Sequence, residues 1–144
     1  MLKVDIEAPQ HQLVEWLDCD RDHLGHYIAD CIDLNSRIIL ALLLDDVWVV
    51  GLQSFVRGEG NGSKTLARLC EGCDRFGVSL RLEPTPYTAT KSLDRGQLIS
   101  WYSRYGFTIS HAHGSYIEMI RKPDSKWDTA QKRLSKKSYG KPFS

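Results

Sequence analysis

The period of apolar and polar positions changes several times along the chain, and each change marks an element. Residues 2–6 alternate apolar with polar and stop at Ala8-Pro9, which suits a short first strand. Leu13, Trp16 and Leu17 then fall at helical spacing. So do Leu24, Tyr27, Ile28, Cys31 and Ile32, so two helices are expected, the second capped by Asp20 or Asp22. Residues 37–44 are almost wholly apolar, Asp45-Asp46 interrupts, and residues 47–56 resume with Trp48, Val49, Val50, Leu52 and Phe55. These read as two central strands joined tightly, the second running straight into a loop that carries Gly58, Gly60 and Gly62.

Beyond the loop the period returns to that of a helix. Leu66, Leu69, Cys70, Cys73 and Phe76 make one apolar stripe, and Gly77 stands where a left-handed residue ends a helix. Val78, Leu80 and Leu82 alternate with Ser79, Arg81 and Glu83 as in a strand. Pro84-Thr85-Pro86 opens a polar loop to Ser92, a suitable cap for a helix with Leu98, Trp101, Tyr102 and Tyr105 on one face, and Gly106 ends that helix. Residues 107–110 and 116–120 make a final strand pair around the loop His111-Ala112-His113-Gly114-Ser115. The expected class is α/β, with a central mixed sheet flanked by helices.

Composition adds constraints. At 144 residues, with 42% hydrophobic and 26% charged content, one domain with a single core is expected and no disulfide or structural metal is required. Formal net charge is +1, but 11 basic residues face 16 acidic through residue 120, whereas 8 face 2 from 121 onward. The domain is therefore assigned to residues 1–122, and residues 123–144 to a basic tail poor in apolar residues. A mildly acidic body is unlike a dedicated duplex-DNA binder, so nucleic-acid contact is reserved for the tail, through Lys132-Arg133 and Lys136-Lys137. The first residues carry no signal-peptide segment, and the longest apolar run is too short to span a bilayer. A cytoplasmic protein with no membrane partner is expected, its four cysteines reduced.

A glycine loop between a buried strand and a helix start suits a phosphate. Unpaired N–H groups of the first turn point outward, and the helix dipole adds roughly half a positive charge. Two motifs fit the string. Gly58-Glu59-Gly60-Asn61-Gly62-Ser63-Lys64-Thr65 nearly matches the phosphate loop of nucleotide triphosphatases, with Ser63 in place of the last glycine and no later strand ending in the aspartate that would help hold magnesium. Arg57-Gly58-Glu59-Gly60-Asn61-Gly62 matches R-x-x-G-x-G in full. Downstream, Leu98-Ile99-Ser100-Trp101-Tyr102-Ser103-Arg104-Tyr105-Gly106-Phe107 places an apolar residue and a tyrosine on a helix ahead of Tyr-Gly-Phe.

With one helix and one strand between these two strings, residues 37–122 resemble the GNAT acyltransferases. The resemblance implies a splayed mixed sheet, acetyl-CoA or another acyl-CoA as cofactor, and direct transfer of the acyl group to an amine. It places cofactor contacts at Phe55, Val56, Arg57, Gly58, Gly60, Asn61, Gly62, Ser63 and Lys64, with the backbone of residues 52–56 along the pantetheine. It makes Tyr102 the acid that protonates the leaving thiolate, since a phenol near pKa 10 has a proton to give at pH 7. Only two strands fit between Arg37 and Arg57, where the family usually has three before the loop.

Other residues carry candidate chemistry. Glu83 ends a strand that would splay from its neighbour and is the candidate base toward the acceptor amine; His111 and His113 titrate in the right range but suit an exposed loop equally. Cys70-Glu71-Gly72-Cys73 has zinc-site form without a second pair, and its thiols lie on the apolar stripe, so no metal is assigned. The acceptor class is open among protein amines, small amines and nucleobases. Two readings stand beside the acyltransferase: a phosphate-loop nucleotide-binding enzyme, and a non-catalytic GNAT-like interaction module.

Overall fold

The structure, a computed structural model, describes residues 8–55, 60–85 and 94–124. In chain order its elements are α1 (Pro9–Trp16), β1 (Asp20–Arg21), β2 (Tyr27–Cys31), a 3-10 turn (Ile32–Leu34), β3 (Ser36–Leu42), β4 (Val47–Ser54), α2 (Asn61–Phe76), β5 (Leu80–Leu82), α3 (Arg95–Ser103), β6 (Thr108–His113) and β7 (Tyr116–Arg121). The strands form one mixed sheet in the order β1-β2-β3-β4-β5-β7-β6, antiparallel everywhere except between β4 and β5. The strand expected over residues 2–6 and the tail from 125 lie outside the described residues.

The helix expected over residues 24–32 is instead a hairpin. The Asp22 carboxylate accepts the N–H groups of Leu24 and His26, both at 2.8 Å, and Gly25 takes φ +86°, so the chain reverses where a helix would have its first turn. The apolar spacing that suggested a helix is only half used: Leu24 is 67% and Ile32 86% exposed. Tyr27, Ala29 and Cys31 instead alternate inward at strand period, opposite Leu40, Ile38 and Ser36. With β2 in place, four antiparallel strands precede α2, the two-residue β1 and the longer β2, β3 and β4, so a third full strand joins the two expected from the sequence.

Alternate residues of the sheet supply one buried face. Ala29, Ile38, Leu40, Val47, Val49, Leu80, Leu82 and Met119 close with Leu13 and Val14 of α1 and the stripe Leu66, Leu69, Cys70 and Cys73 of α2 into a single core. Gly72 lets α1 and α2 touch, because a Cβ there would stand 2.7 Å from Leu13 and from Trp16. Gly77 ends α2 at φ +73°, as the stripe predicts. The cap of α3 is Asp94 rather than Ser92, which lies outside the described residues. Asp94 accepts the Gln97 N–H at 2.8 Å while Gln97 returns a bond to the Asp94 N–H, a reciprocal capping box. His111 and His113 lie within β6 rather than in a loop; the turn is only Gly114-Ser115.

Candidate active site

β4 and β5 pair at two positions, Val47↔Leu80 and Trp48↔Arg81. β4 then continues to Ser54 with no strand partner on that side among the described residues, so the sheet opens between two parallel strands toward their C-terminal ends. A bulge sits at the divergence: Ile39 faces Gly51 while Leu40 faces Val49, leaving Val50 as the extra residue of β4. Bulges bend a strand and sharpen its twist, and this one lies just past the last β4–β5 pair, Trp48↔Arg81.

The open end of the gap leads into the start of α2. Gly60 caps the helix in the left-handed region, φ +70°, without a side-chain cap, and the first helical bond runs from the Lys64 N–H to the Gly60 carbonyl at 3.1 Å. The earlier N–H groups of the turn carry the positive end of the dipole. Two side-chain contacts hold this turn. From the sheet, the Ser36 hydroxyl donates to Thr65 Oγ1, and Thr65 in turn donates to the Asn61 carbonyl at 2.7 Å. From α3, Trp101 Nε1–H donates to Ser63 Oγ at 2.9 Å. Thr65 is wholly buried and its hydroxyl is committed to the helix, whereas the phosphate-loop motif needs that hydroxyl at a magnesium ion.

Of the cofactor positions read from the sequence, the structure brings Gly60, Asn61, Gly62, Ser63 and Lys64 together in this turn and puts exposed Phe55 at the end of β4. Val56, Arg57 and Gly58 lie outside the described residues. Tyr102 is half-buried on α3, its ring edge-on to buried Phe107 with centroids 5.3 Å apart and tilted against Trp101 at 5.0 Å. Glu83 is exposed just past the end of β5.

Sequence reasoning missed a polar network on the sheet face opposite the core. Arg81 donates to Asp46 and to Glu118, each at 2.7 Å; Glu118 also accepts from Tyr116 at 3.0 Å, and His111 Nδ1 lies 3.6 Å away. Burial works against the Glu118 charge, but Arg81 and Tyr116 outweigh it and hold its carboxyl below the usual range. Strand alternation of Arg81 between Leu80 and Leu82 was the available signal. All four cysteines are free thiols, and Cys31, Cys70 and Cys73 are buried. Burial pushes the Cys70 thiol up to about 11 and Cys73 well up, and burial with Cys31 and two aspartates nearby pushes Cys19 to about 12.

No protein-family model and no curated protein matches the sequence. Among solved structures, a GNAT-family protein from Bacteroides thetaiotaomicron superposes with TM-score 0.52 at 17% identity, over 84% of this chain and 77% of that one. The anti-CRISPR protein AcrVA5 superposes with TM-score 0.50, also at 17% identity, over 60% of this chain and 88% of that one. The chain has a GNAT-like fold. No described helix is long and apolar enough to cross a membrane.

Proposed function

We propose that the chain is an acyl-CoA-dependent N-acyltransferase, with acetyl-CoA the leading donor. The observation that carries this reading is the opening between β4 and β5 directly before the glycine-started helix α2. The diphosphate of CoA would sit on the N–H groups of residues 61–63, and the pantetheine would extend along the β5-facing edge of β4 past Trp48 as an additional strand would. The thioester then reaches the divergence point, where fixed backbone donors of β4 stabilise the oxyanion without reorganising.

The amine enters from the opposite side of the gap and attacks the carbonyl carbon. A C–N bond forms, the C–S bond breaks, and the thiolate takes a proton from the Tyr102 phenol. The nitrogen loses its proton toward Glu83 or solvent. Most of the acceleration comes from holding the two reactants in contact.

Cofactor recognition is tested by thermal melting. Acetyl-CoA at 100 times its dissociation constant should add about 2.7 kcal/mol of stability, a rise of several degrees in Tm, and ATP with magnesium should add none. A rise with ATP alone would replace this reading by the phosphate-loop one.

A further inference from the structure

The Trp101–Ser63 contact joins the two helices that bring cofactor and acid together, and its chemistry has a direction. Indole nitrogen donates and never accepts, so the hydrogen in this 2.9 Å contact is Trp101's and the Ser63 oxygen is the acceptor. The hydroxyl's own hydrogen is thereby left for another acceptor, and a hydroxyl that accepts one bond donates a stronger one. Ser63 stands in the first turn of α2, beside the N–H groups that follow Gly60. The indole is itself fixed: it lies tilted against Tyr102 at 5.0 Å and edge-on to Tyr105 at 6.1 Å, and is 4.0 Å from a Cβ built on Gly62. The Tyr105 hydroxyl also reaches the Ser63 carbonyl at 3.5 Å.

From this geometry we propose that Trp101 is a positioning residue that aims the Ser63 hydroxyl proton at the cofactor diphosphate, and so ties occupancy of the α2 turn to the α3 helix that carries Tyr102. The inference rests on the acyltransferase reading. Trp101 touches no reacting atom; its effect passes through one hydrogen bond to Ser63. The phenyl ring of Trp101→Phe keeps much of the stacking and loses the donor, whereas Ser63→Ala keeps the helix and loses the relay.

The test is calorimetric titration of CoA into the full chain and its variants, with melting temperatures as the control for folding. Ser63→Ala should weaken CoA about tenfold, the scale of a lost hydrogen bond to a charged group. Trp101→Phe should weaken it about three- to tenfold. The double variant should be no weaker than Ser63→Ala by more than about twofold, because both changes remove one and the same bond. Ser63→Thr, which restores a hydroxyl, should bind within about twofold of the natural chain. Fully additive losses, an unchanged Ser63→Ala affinity, or a Ser63→Thr as weak as Ser63→Ala would each overturn the relay while CoA still bound the natural chain. Absence of CoA binding by the natural chain would instead overturn the acyltransferase reading on which the relay rests.

Discussion

The molecule has two arms of unlike construction on either side of the β4–β5 seam. The first, α1 and β1 to β4 with α2, is built around long antiparallel pairings and the deep stripe of α2, seven of whose residues are buried. The second, β5, β7 and β6 with α3, has no fully buried residue on its helix and an outermost strand, β6, that is almost wholly exposed. Two backbone pairs join the arms, and side chains do much of the rest: Arg121 to Asp74, Arg81 to Asp46, and Trp101 to Ser63. The first arm is an anchor whose shape follows from hydrophobic burial. The second shares that core through Leu80, Leu82, Phe107 and Met119 but adds polar bridges across the seam, and it carries the candidate acid. A gap between parallel strands can remain open only if something other than the ladder holds its sides, and here the shared core and these bridges both span it.

The largest expected effect separates chemistry from packing on the second arm. Tyr102→Phe keeps the ring against Phe107 and Trp101 and deletes one proton. Turnover in a chemistry-limited assay with a competent amine should fall by roughly 10²–10⁴, with CoA affinity within about twofold. A variant as active as the natural chain would make Tyr102 a packing residue only, and the second arm would lose its chemical role.

Next in size is the bridge between α2 and β7. The Arg121 guanidinium, 9% exposed, donates to both Asp74 oxygens at 2.8 and 2.9 Å and to the Tyr105 carbonyl at 2.6 Å. Burial opposes its charge, but the Asp74 bonds outweigh this and raise its pKa. Asp74→Ala would leave that charge buried without its carboxylate, at a cost of about 3 kcal/mol in urea unfolding. Arg121→Met with Asp74→Asn should recover much of the loss. If the single change costs nothing, the arms are held by burial alone and the contrast between them fails.

How much of this was legible in the sequence follows the same division. The α2 stripe, its Gly77 stop and the β3–β4 pair were readable because burial on one face imposes a period on the sequence. Residues 24–32 were misread because Leu24, Tyr27, Ile28, Cys31 and Ile32 satisfy helical spacing while Asp22 and Gly25 encode a turn, and the turn chemistry prevailed. The glycine loop and the Trp101-Tyr102 string were readable as motifs. Their junction was not: the Trp101 to Ser63 bond spans 38 residues, and Arg81 to Asp46 and Glu118 spans 35 and 37. No local period records such pairs.

The smallest effect concerns pH and the Arg81 bridge. Because the Glu118 carboxyl is held below its ordinary range, it releases its proton more readily in the folded chain than in the unfolded one. Its contribution is therefore fully present above the unfolded pKa, about 4.3, and is lost as pH falls through the lower folded value. Removing the guanidinium in Arg81→Gln should move the folded pKa of Glu118 up, so that this part of the acid-side loss disappears from the unfolding profile in the window below the unfolded pKa. The bridge is partly exposed, and its worth at pH 7 should stay within about 1 kcal/mol. Urea unfolding of both chains across that window reads the difference, and the natural chain should show the steeper fall. Parallel profiles would mean that Arg81 does not set the ionisation of Glu118, and that the second arm is positioned by its strand pairing and by Arg121 instead.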